Sequence, residues 1–241
     1  MRNENMFKYL LILFMILSVS CRDKKVEEIR KEEPIVSSKD TVRQGTEVIQ
    51  EKIDCNKYVT SKGLIQVDLE NLRVTGDSLK ILNKEGQFLG SIFENEEEEI
   101  VSPINRRGFR AFYDDYDILY IDSDGLNSNN SYDTKIDCNK YEIGVSSLVK
   151  YYSWDEFLIN KAFLKLNEDS PLYFNKSDKS EIVEIDYHYF SFEVILVEGN
   201  WVKVKCSKDC EGCGESQKEI TGWVKWKNED NEILVYLYYS C

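Results

Sequence analysis

The sequence predicts a mainly β protein with an N-terminal all-β region, one short linking helix and a C-terminal β region. Apolar and polar residues alternate along Trp201 to Cys206 and again along Trp223 to Lys227. A period of two residues is typical of half-buried strands. Similar patterns recur from Leu64 onward, whereas a clear helix signal occurs once. These observations place the chain among proteins built mainly of sheets.

Residues 1–20 form a predicted signal peptide. Arg2 and Lys8 supply positive charge, and the apolar run from Tyr9 to Val19 is too short to span a bilayer comfortably. Met6 is an alternative start, because MFKYLLILF is a more compact signal.

The segment LSVSC, which ends at Cys21, resembles the lipobox of bacterial lipoproteins. The usual leucine three residues before the cysteine is displaced, since Ser18 holds that place and Leu17 precedes it. The resemblance implies that Cys21 carries acyl chains such as palmitate and anchors the protein in the bacterial cell envelope, on the periplasmic or surface face. Two plainer interpretations stay open, an ordinary secretory signal with an incidental cysteine and a buried helix.

Residues 21–52 are a predicted disordered tether. They are rich in Lys, Glu, Ser, Thr and Gln, and such a composition buries too little apolar surface to offset the entropy of ordering. The whole chain has 44 acidic and 31 basic residues and a net charge of −13. This charge repels nucleic acid and anionic headgroups, so we expect no nucleic-acid partner and attachment to the membrane through the lipid anchor.

Residues 53–150 are predicted to be an N-terminal β-rich domain. The alternation at 64–69 indicates a strand, and residues 79–93 read as a hairpin with Gly86 in its turn. Segments 109–113 and 118–121 predict another strand pair.

Residues 151–168 carry the linking helix. Ser153 and Glu156 have the spacing of a capping box, which predicts a helix beginning at Trp154. Trp154 is expected in the core, and residues 162–166 are expected to leave the helix for a strand.

Residues 169–241 contain the alternating segments. Residues 187–197 predict a long strand with Phe192, Val194 and Leu196 inward and Tyr187 and Tyr189 outward. Trp201 and Trp223 lie on the same strand faces as the lysines of these segments. Because lysines rarely point into a core, this lysine side, with both tryptophans, should point towards solvent or a neighbouring loop.

The run GNWVKVK, a polar loop and then GWVKW are similar to the end of a bacterial SH3-like domain, which has a G-x-W-x-x-V strand, a turn and a G-W-V strand. The segment 170–175, SPLYFN, stands where that family has its opening strand. The loop at 207–221 departs from the pattern in its length and cysteines, and the chain continues past Trp226. The resemblance covers about the last third of the chain and implies an SH3-like domain, a small barrel, at 169–241.

The resemblance further implies that this domain recognises a peptide or a cell-wall component, often a cell-wall peptide. The expected ligand-binding residues are Trp201, Trp223, Tyr187 and Tyr189, since aromatic rings supply large contact areas at small entropic cost. An equally open alternative to ligand binding is that both tryptophans pack under loops. A different class of function is an immunity or inhibitor-type lipoprotein that binds one envelope protein, for which the acidity would suit a basic partner.

Six cysteines follow Cys21, and an even number in an exported chain favours disulfides. The hexapeptide IDCNKY occurs at 53–58 and again at 136–141. It indicates either two equivalent edge segments whose cysteines pair or an eroded duplication, and we favour a disulfide between these copies. Cys241 is expected to join the 206–213 loop. The disulfide candidates are Cys55, Cys138, Cys206, Cys210, Cys213 and Cys241.

No catalytic or metal-binding motif is evident, so we expect a protein that is not an enzyme and needs no cofactor. His188 is the single histidine and lies in an aromatic segment, where a packed residue is commoner than a base. The spacing of Cys206, Cys210 and Cys213 matches the cluster motif of radical SAM enzymes, but those enzymes are cytosolic and carry it early in an α/β barrel. A zinc site with Cys241 as fourth ligand remains an alternative to disulfides.

Overall fold

The structure is a computed structural model that describes residues 54–185, 191–207 and 220–239. Within these residues the protein is mainly β, which confirms the predicted fold class. No helix in the described ranges is long and apolar enough to cross a bilayer. Several predicted features lie outside the described residues: the signal peptide, Cys21, the tether, Tyr187, His188, Tyr189, Cys210, Cys213 and Cys241.

The larger sheet has nine antiparallel strands. They are β1 (Gly63–Asp68), β2 (Leu79–Asn83), β3 (Phe88–Glu94), β4 (Ile100–Val101), β5 (Ala111–Tyr113), β6 (Ile118–Leu126), β7 (Ser131–Ile136), β8 (Asn139–Gly144) and β9 (Val149–Ser153). The order is β4-β3-β2-β8-β7-β6-β1-β9, and β5 pairs with β6. The predicted hairpin forms between β2 and β3, with Gly86 at φ 76° in its turn.

A short helix, α1 (Leu69–Thr75), lies in the region predicted to be all-β. The Asp68 carboxylate accepts a hydrogen bond from the Asn71 N–H at 2.9 Å and caps the helix. Gly76 ends it in the left-handed conformation, at φ 66°. Leu72 is fully buried beneath the sheet's apolar face. The chain therefore leaves β1 in a helix, although the preceding alternation continues as far as Leu69.

The smaller sheet has five antiparallel strands in the order β13-β12-β11-β10-β14. They are β10 (Phe163–Lys165), β11 (Phe192–Glu198), β12 (Trp201–Cys206), β13 (Thr221–Lys225) and β14 (Tyr236–Tyr238). The linking helix is α2 (Trp154–Asn160), and it has the predicted capping box, with Ser153 and Glu156 bonded reciprocally. The chain then enters β10, as the sequence predicts.

One prediction about β11 is wrong. Leu196 was expected to face inward with Phe192 and Val194, but it is 40% exposed while the other two are buried. The register between β11 and β12 shifts between Val194 and Leu196. The bulge inserts Ile195 and reverses the alternation beyond it, so Leu196 lies on the outer face.

The two sheets share one hydrophobic cluster, in which aromatic rings are prominent. The rings of Tyr120 and Phe157 are 5.1 Å apart edge-on, and those of Trp154 and Trp226 are 5.7 Å apart. Burial raises the pKa of Tyr120 to about 12. Trp154 is thus a core residue, as predicted, and α2 packs between residues of both sheets.

Residues 54–62, which we call the strap, connect the sheets at one side. Val59 N–H donates to the Asn231 carbonyl at 2.8 Å, and Lys57 forms an ion pair with Glu232 at 2.6 Å. A disulfide joins Cys55 to Cys138, with the two Cα atoms 5.6 Å apart, which confirms the predicted pair. The strap is therefore bound covalently to the larger sheet and by hydrogen bonds to the chain beside the smaller one.

The repeated hexapeptide adopts two conformations. In the first copy, residues 55–57 form a 3-10 turn. In the second, Asp137 and Cys138 have positive φ angles of 49° and 65° and form the turn between β7 and β8. The copies are thus not equivalent edge segments, although their cysteines do pair.

Arg110 fixes the strap to the larger sheet. Its guanidinium donates to the carbonyls of Asn56 and Tyr58, the latter at 2.7 Å, and lies 5.4 Å from the centre of the Trp154 ring. The same guanidinium forms an ion pair with Asp122. Burial raises the pKa of Asp122, while Arg110 acts in the opposite direction.

Candidate binding surface on the smaller sheet

Strands β12 and β13 separate an apolar inner face from an outer face that carries aromatic and lysine side chains. Val202, Val204 and Val224 are fully buried, and Trp201 and Trp223 are half-buried on the opposite side. Alternation along paired strands produces this division. The structure therefore places both tryptophans on the lysine side, where the sequence predicted them.

Tyr173 joins the two tryptophans to form what we call the aromatic face: Tyr173, Trp201 and Trp223. Two main-chain hydrogen bonds, of 2.8 and 2.7 Å, pair Tyr173 with Trp223. The Tyr173 ring lies edge-on to the Trp201 ring, with centroids 5.7 Å apart. Edge-to-face packing at this distance is favourable and holds the rings in place.

Gly222 allows Tyr173 to reach this position. A Cβ atom on Gly222 would lie 2.7 Å from the Leu172 Cγ and 2.8 Å from the Tyr173 carbonyl oxygen. Leu172 is fully buried, so it has little room to move away. The absence of a side chain at Gly222 thus lets segment 172–173 pack as an additional short pairing beside β13.

Lysines surround the aromatic face, and most of them have acidic partners. Lys176 pairs with Glu198, and its Nζ is 5.8 Å from the Trp223 ring centre. Lys225 lies 3.3 Å from Glu229 and 3.9 Å from Asp178. These pairs sit in partly exposed positions at the edge of the face, where ion pairs contribute little stability.

Lys203 differs from its neighbours. It lies directly opposite Trp223 in the β12–β13 register and opposite Leu196 on β11. Its ammonium group has no acidic partner within the described residues. An available positive charge beside ordered aromatic rings can bind a carboxylate while the rings contact apolar parts of the same ligand.

The described residues bring only some of the predicted site residues together. Trp201 and Trp223 share the aromatic face, whereas Tyr187 and Tyr189 are outside the described ranges. Tyr173 is not among the predicted ligand contacts, although the SH3-like resemblance implies an opening strand at SPLYFN; in the structure Tyr173 forms isolated bridges with Ile182 and Trp223. Its pairing with Trp223 is a long-range contact that the local pattern does not specify.

The remaining candidate chemistry is limited. Cys206 is buried and disulfide-bonded. Across residues 54–185, 191–207 and 220–239, no three His, Cys, Asp or Glu side chains lie close enough to hold a metal ion. The arrangement on the outer face is suited to non-covalent recognition.

Comparisons with known proteins identify no relatives: no protein-family model, no curated protein and no solved structure matches this chain.

Proposed function

We propose that this protein is a lipid-anchored binding protein of the bacterial cell envelope and that its SH3-like C-terminal region recognises an extended peptide of the cell wall. The observation that carries the proposal is the aromatic face with Lys203 beside it. The lipobox-like segment ending at Cys21 supports the anchor, and the GNWVKVK and GWVKW segments support the SH3-like assignment.

The ligand chemistry follows from the surface. Tyr173 and Trp201 are held edge-on, so little conformational entropy is lost when a ligand contacts them. Aromatic side chains are also the residue type most often found at binding hot spots. The Lys203 ammonium provides a partner for a carboxylate of the bound peptide. A peptide that presents apolar groups and carboxylates along an extended backbone fits both features.

The test is co-sedimentation of the full chain, purified in mild detergent, with cell-wall sacculi. We expect the wild-type protein to pellet and the Trp201→Ala/Trp223→Ala variant to stay in the supernatant. Phe88→Ala/Phe93→Ala is the matched control, because it removes two exposed aromatic rings from β3. The control should pellet as the wild type does.

Lys203→Glu distinguishes lost contacts from lost folding, since it reverses one charge and leaves the core intact. We expect this variant to keep the wild-type melting temperature and to lose binding. Recognition of the wall by this face would be refuted if the wild-type protein failed to pellet. It would also be refuted if Trp201→Ala/Trp223→Ala and Lys203→Glu both pelleted as the wild type does.

A second candidate function is that of an immunity or inhibitor-type lipoprotein with one protein partner. Phe88, Leu89 and Phe93 are exposed on β3, and the acidic turn at 96–99 follows directly. Apolar side chains bordered by negative charge suit a partner with a basic rim. The test of this function is a pull-down from envelope extract. We expect Phe88→Ala/Phe93→Ala to lose the partner that the wild-type protein captures, and Trp201→Ala/Trp223→Ala to retain it.

A further inference from the structure

A groove of about 490 Å³ opens on the larger sheet, in a part of the molecule that shares no residue with the aromatic face. The 3-10 turn Arg106–Gly108 and strand β5 form most of its lining. Three arginines are among the lining residues, in a protein whose net charge is −13, and one of them, Arg110, is already paired with Asp122. The lining residues that matter here are Arg106, Arg107, Phe112, Tyr113 and Asp115.

Arg106 is held in a defined orientation. Its guanidinium carbon lies 4.7 Å from the centre of the Phe112 ring, and its Nη2 donates to the Ile100 carbonyl at 2.6 Å. These contacts use one face of the guanidinium and one of its N–H groups, and a guanidinium has five N–H donors. The remaining donors are available to a ligand, and the side chain has already lost much of its conformational freedom.

Arg107 is fixed through its backbone only. Its N–H donates to the Asn105 Oδ1 at 3.0 Å, and its carbonyl accepts from the Asn56 Nδ2 at 3.3 Å. The side chain is exposed and has no carboxylate partner among the described residues. This distinguishes it from Arg110, whose guanidinium is paired with Asp122.

The other lining groups define the ligand further. Phe112 is half-buried and Tyr113 is 50% exposed, so both offer apolar ring surface to the groove. Asp115 is the carboxylate among the described lining side chains, whereas Arg106 and Arg107 supply two guanidinium groups besides that of Arg110, which is paired with Asp122. The groove thus combines a local positive charge with aromatic contacts.

We propose that this groove binds a small ligand that carries a carboxylate or a phosphate group beside an apolar, ring-sized group. Arg106 and Arg107 bind the oxyanion, because a guanidinium matches both groups with two parallel hydrogen bonds. Phe112 and Tyr113 contact the apolar part. The site is independent of the proposed cell-wall recognition.

The test is a titration of the ¹⁵N-labelled full chain, in mild detergent, with benzoate, phenyl phosphate and benzamide, followed by amide chemical shifts. We expect saturable shifts at residues 106–113 with benzoate, with phenyl phosphate or with both. Benzamide, which has the same ring without the charge, should give none. A response to benzoate alone identifies a carboxylate ligand, and a response to phenyl phosphate alone identifies a phosphate.

The variants are Arg107→Gln and, as a matched control, Lys80→Gln, which removes an exposed charge from β2. We expect Arg107→Gln to weaken binding about tenfold, the effect of removing one charged hydrogen-bond donor pair, and Lys80→Gln to leave it unchanged. Three results would overturn the proposal: no saturable shifts with either anion, equal shifts with benzamide, or unchanged affinity in Arg107→Gln.

Discussion

Arg110 donates two hydrogen bonds to Asp122, from Nε to Oδ1 at 3.2 Å and from Nη2 to Oδ2 at 2.6 Å. The two side chains are only 1% and 5% exposed. Ser61 adds a third hydrogen bond to the same carboxylate, at 3.1 Å. The pair thus lies in the interior, with its hydrogen-bonding groups occupied by each other and by the strap.

Replacing Arg110 should strongly destabilise the protein. Arg110→Ala leaves the buried Asp122 without a counter-charge and frees two strap carbonyls, so we expect a loss of about 3–5 kcal/mol in the free energy of unfolding. Urea denaturation measures it. The exposed neighbour provides the control, because Arg107→Ala should change stability by less than about 0.5 kcal/mol. Equal stability of the two variants would contradict the assigned role of the buried pair.

The disulfide between Cys55 and Cys138 should contribute through the unfolded state. The cysteines are 83 residues apart, and closing a loop of that length stabilises the fold by about 4.5 kcal/mol in the chain-entropy description. We expect Cys55→Ser/Cys138→Ser to lower the guanidinium unfolding midpoint accordingly, with an unchanged strand content by circular dichroism. A midpoint equal to that of the wild type would show that the link contributes no stability.

The ion pair between Lys57 and Glu232 predicts a pH dependence with two limits. The hydrogen bond to Lys57 lowers the pKa of Glu232 below 4.5, and the hydrogen bond to Glu232 raises the pKa of Lys57 above 10.5. The contribution of Glu232 is present above pH 4.5 and is lost as the pH falls through its folded pKa. That of Lys57 is present below pH 10.5 and is lost as the pH rises through its folded pKa.

The measurement is the melting temperature of wild type and Glu232→Gln across this range. The wild type should melt higher near neutral pH, and the difference should shrink towards zero at about pH 2 and about pH 12. Glu97→Gln, at an exposed position without an ion pair in the described part of the chain, should melt with the wild type throughout. If the difference in melting temperature between wild type and Glu232→Gln did not depend on pH, the Lys57–Glu232 ion pair would not be its source.

Gly222→Ala should displace segment 172–173 and with it the aromatic face. The new methyl group would overlap Leu172 and the Tyr173 carbonyl, so we expect a loss of about 1–3 kcal/mol, as for other overpacked sites, together with weaker pelleting with sacculi. Gly144→Ala is the control, since a Cβ there meets nothing within 4 Å. If Gly222→Ala bound sacculi as well as the control, Tyr173 would not be part of the binding surface.

Features encoded in a few neighbouring residues were predictable from the sequence. The capping box of α2, the turn at Gly86 and the two faces of β12 each depend on local chemistry that the side chains specify directly. The pairing of Cys55 with Cys138 was predictable for a different reason, since an identical hexapeptide around each cysteine is a conspicuous signal.

Features that depend on tertiary contacts were not predictable. The alternation at 64–69 concealed the start of α1, because Leu69 suits both a strand and a helix face, and the capping role of Asp68 depends on the backbone turning there. The bulge at Ile195 is a property of the pairing with β12. Arg110 gave no signal, because arginine is rarely buried and its partner Asp122 lies on strand β6, 12 residues further along the chain.

The covalent link at Cys55 determines how the fold responds to mechanical load. A pull on the chain ahead of Cys55 is transmitted through the disulfide to Cys138, in the turn between β7 and β8. Tension therefore cannot peel the strap away step by step, and it acts on a hairpin inside the larger sheet, where several hydrogen bonds must break together. Reducing this one bond would leave the hydrogen bonds, the Lys57–Glu232 ion pair and the buried Arg110 contacts to carry the same load.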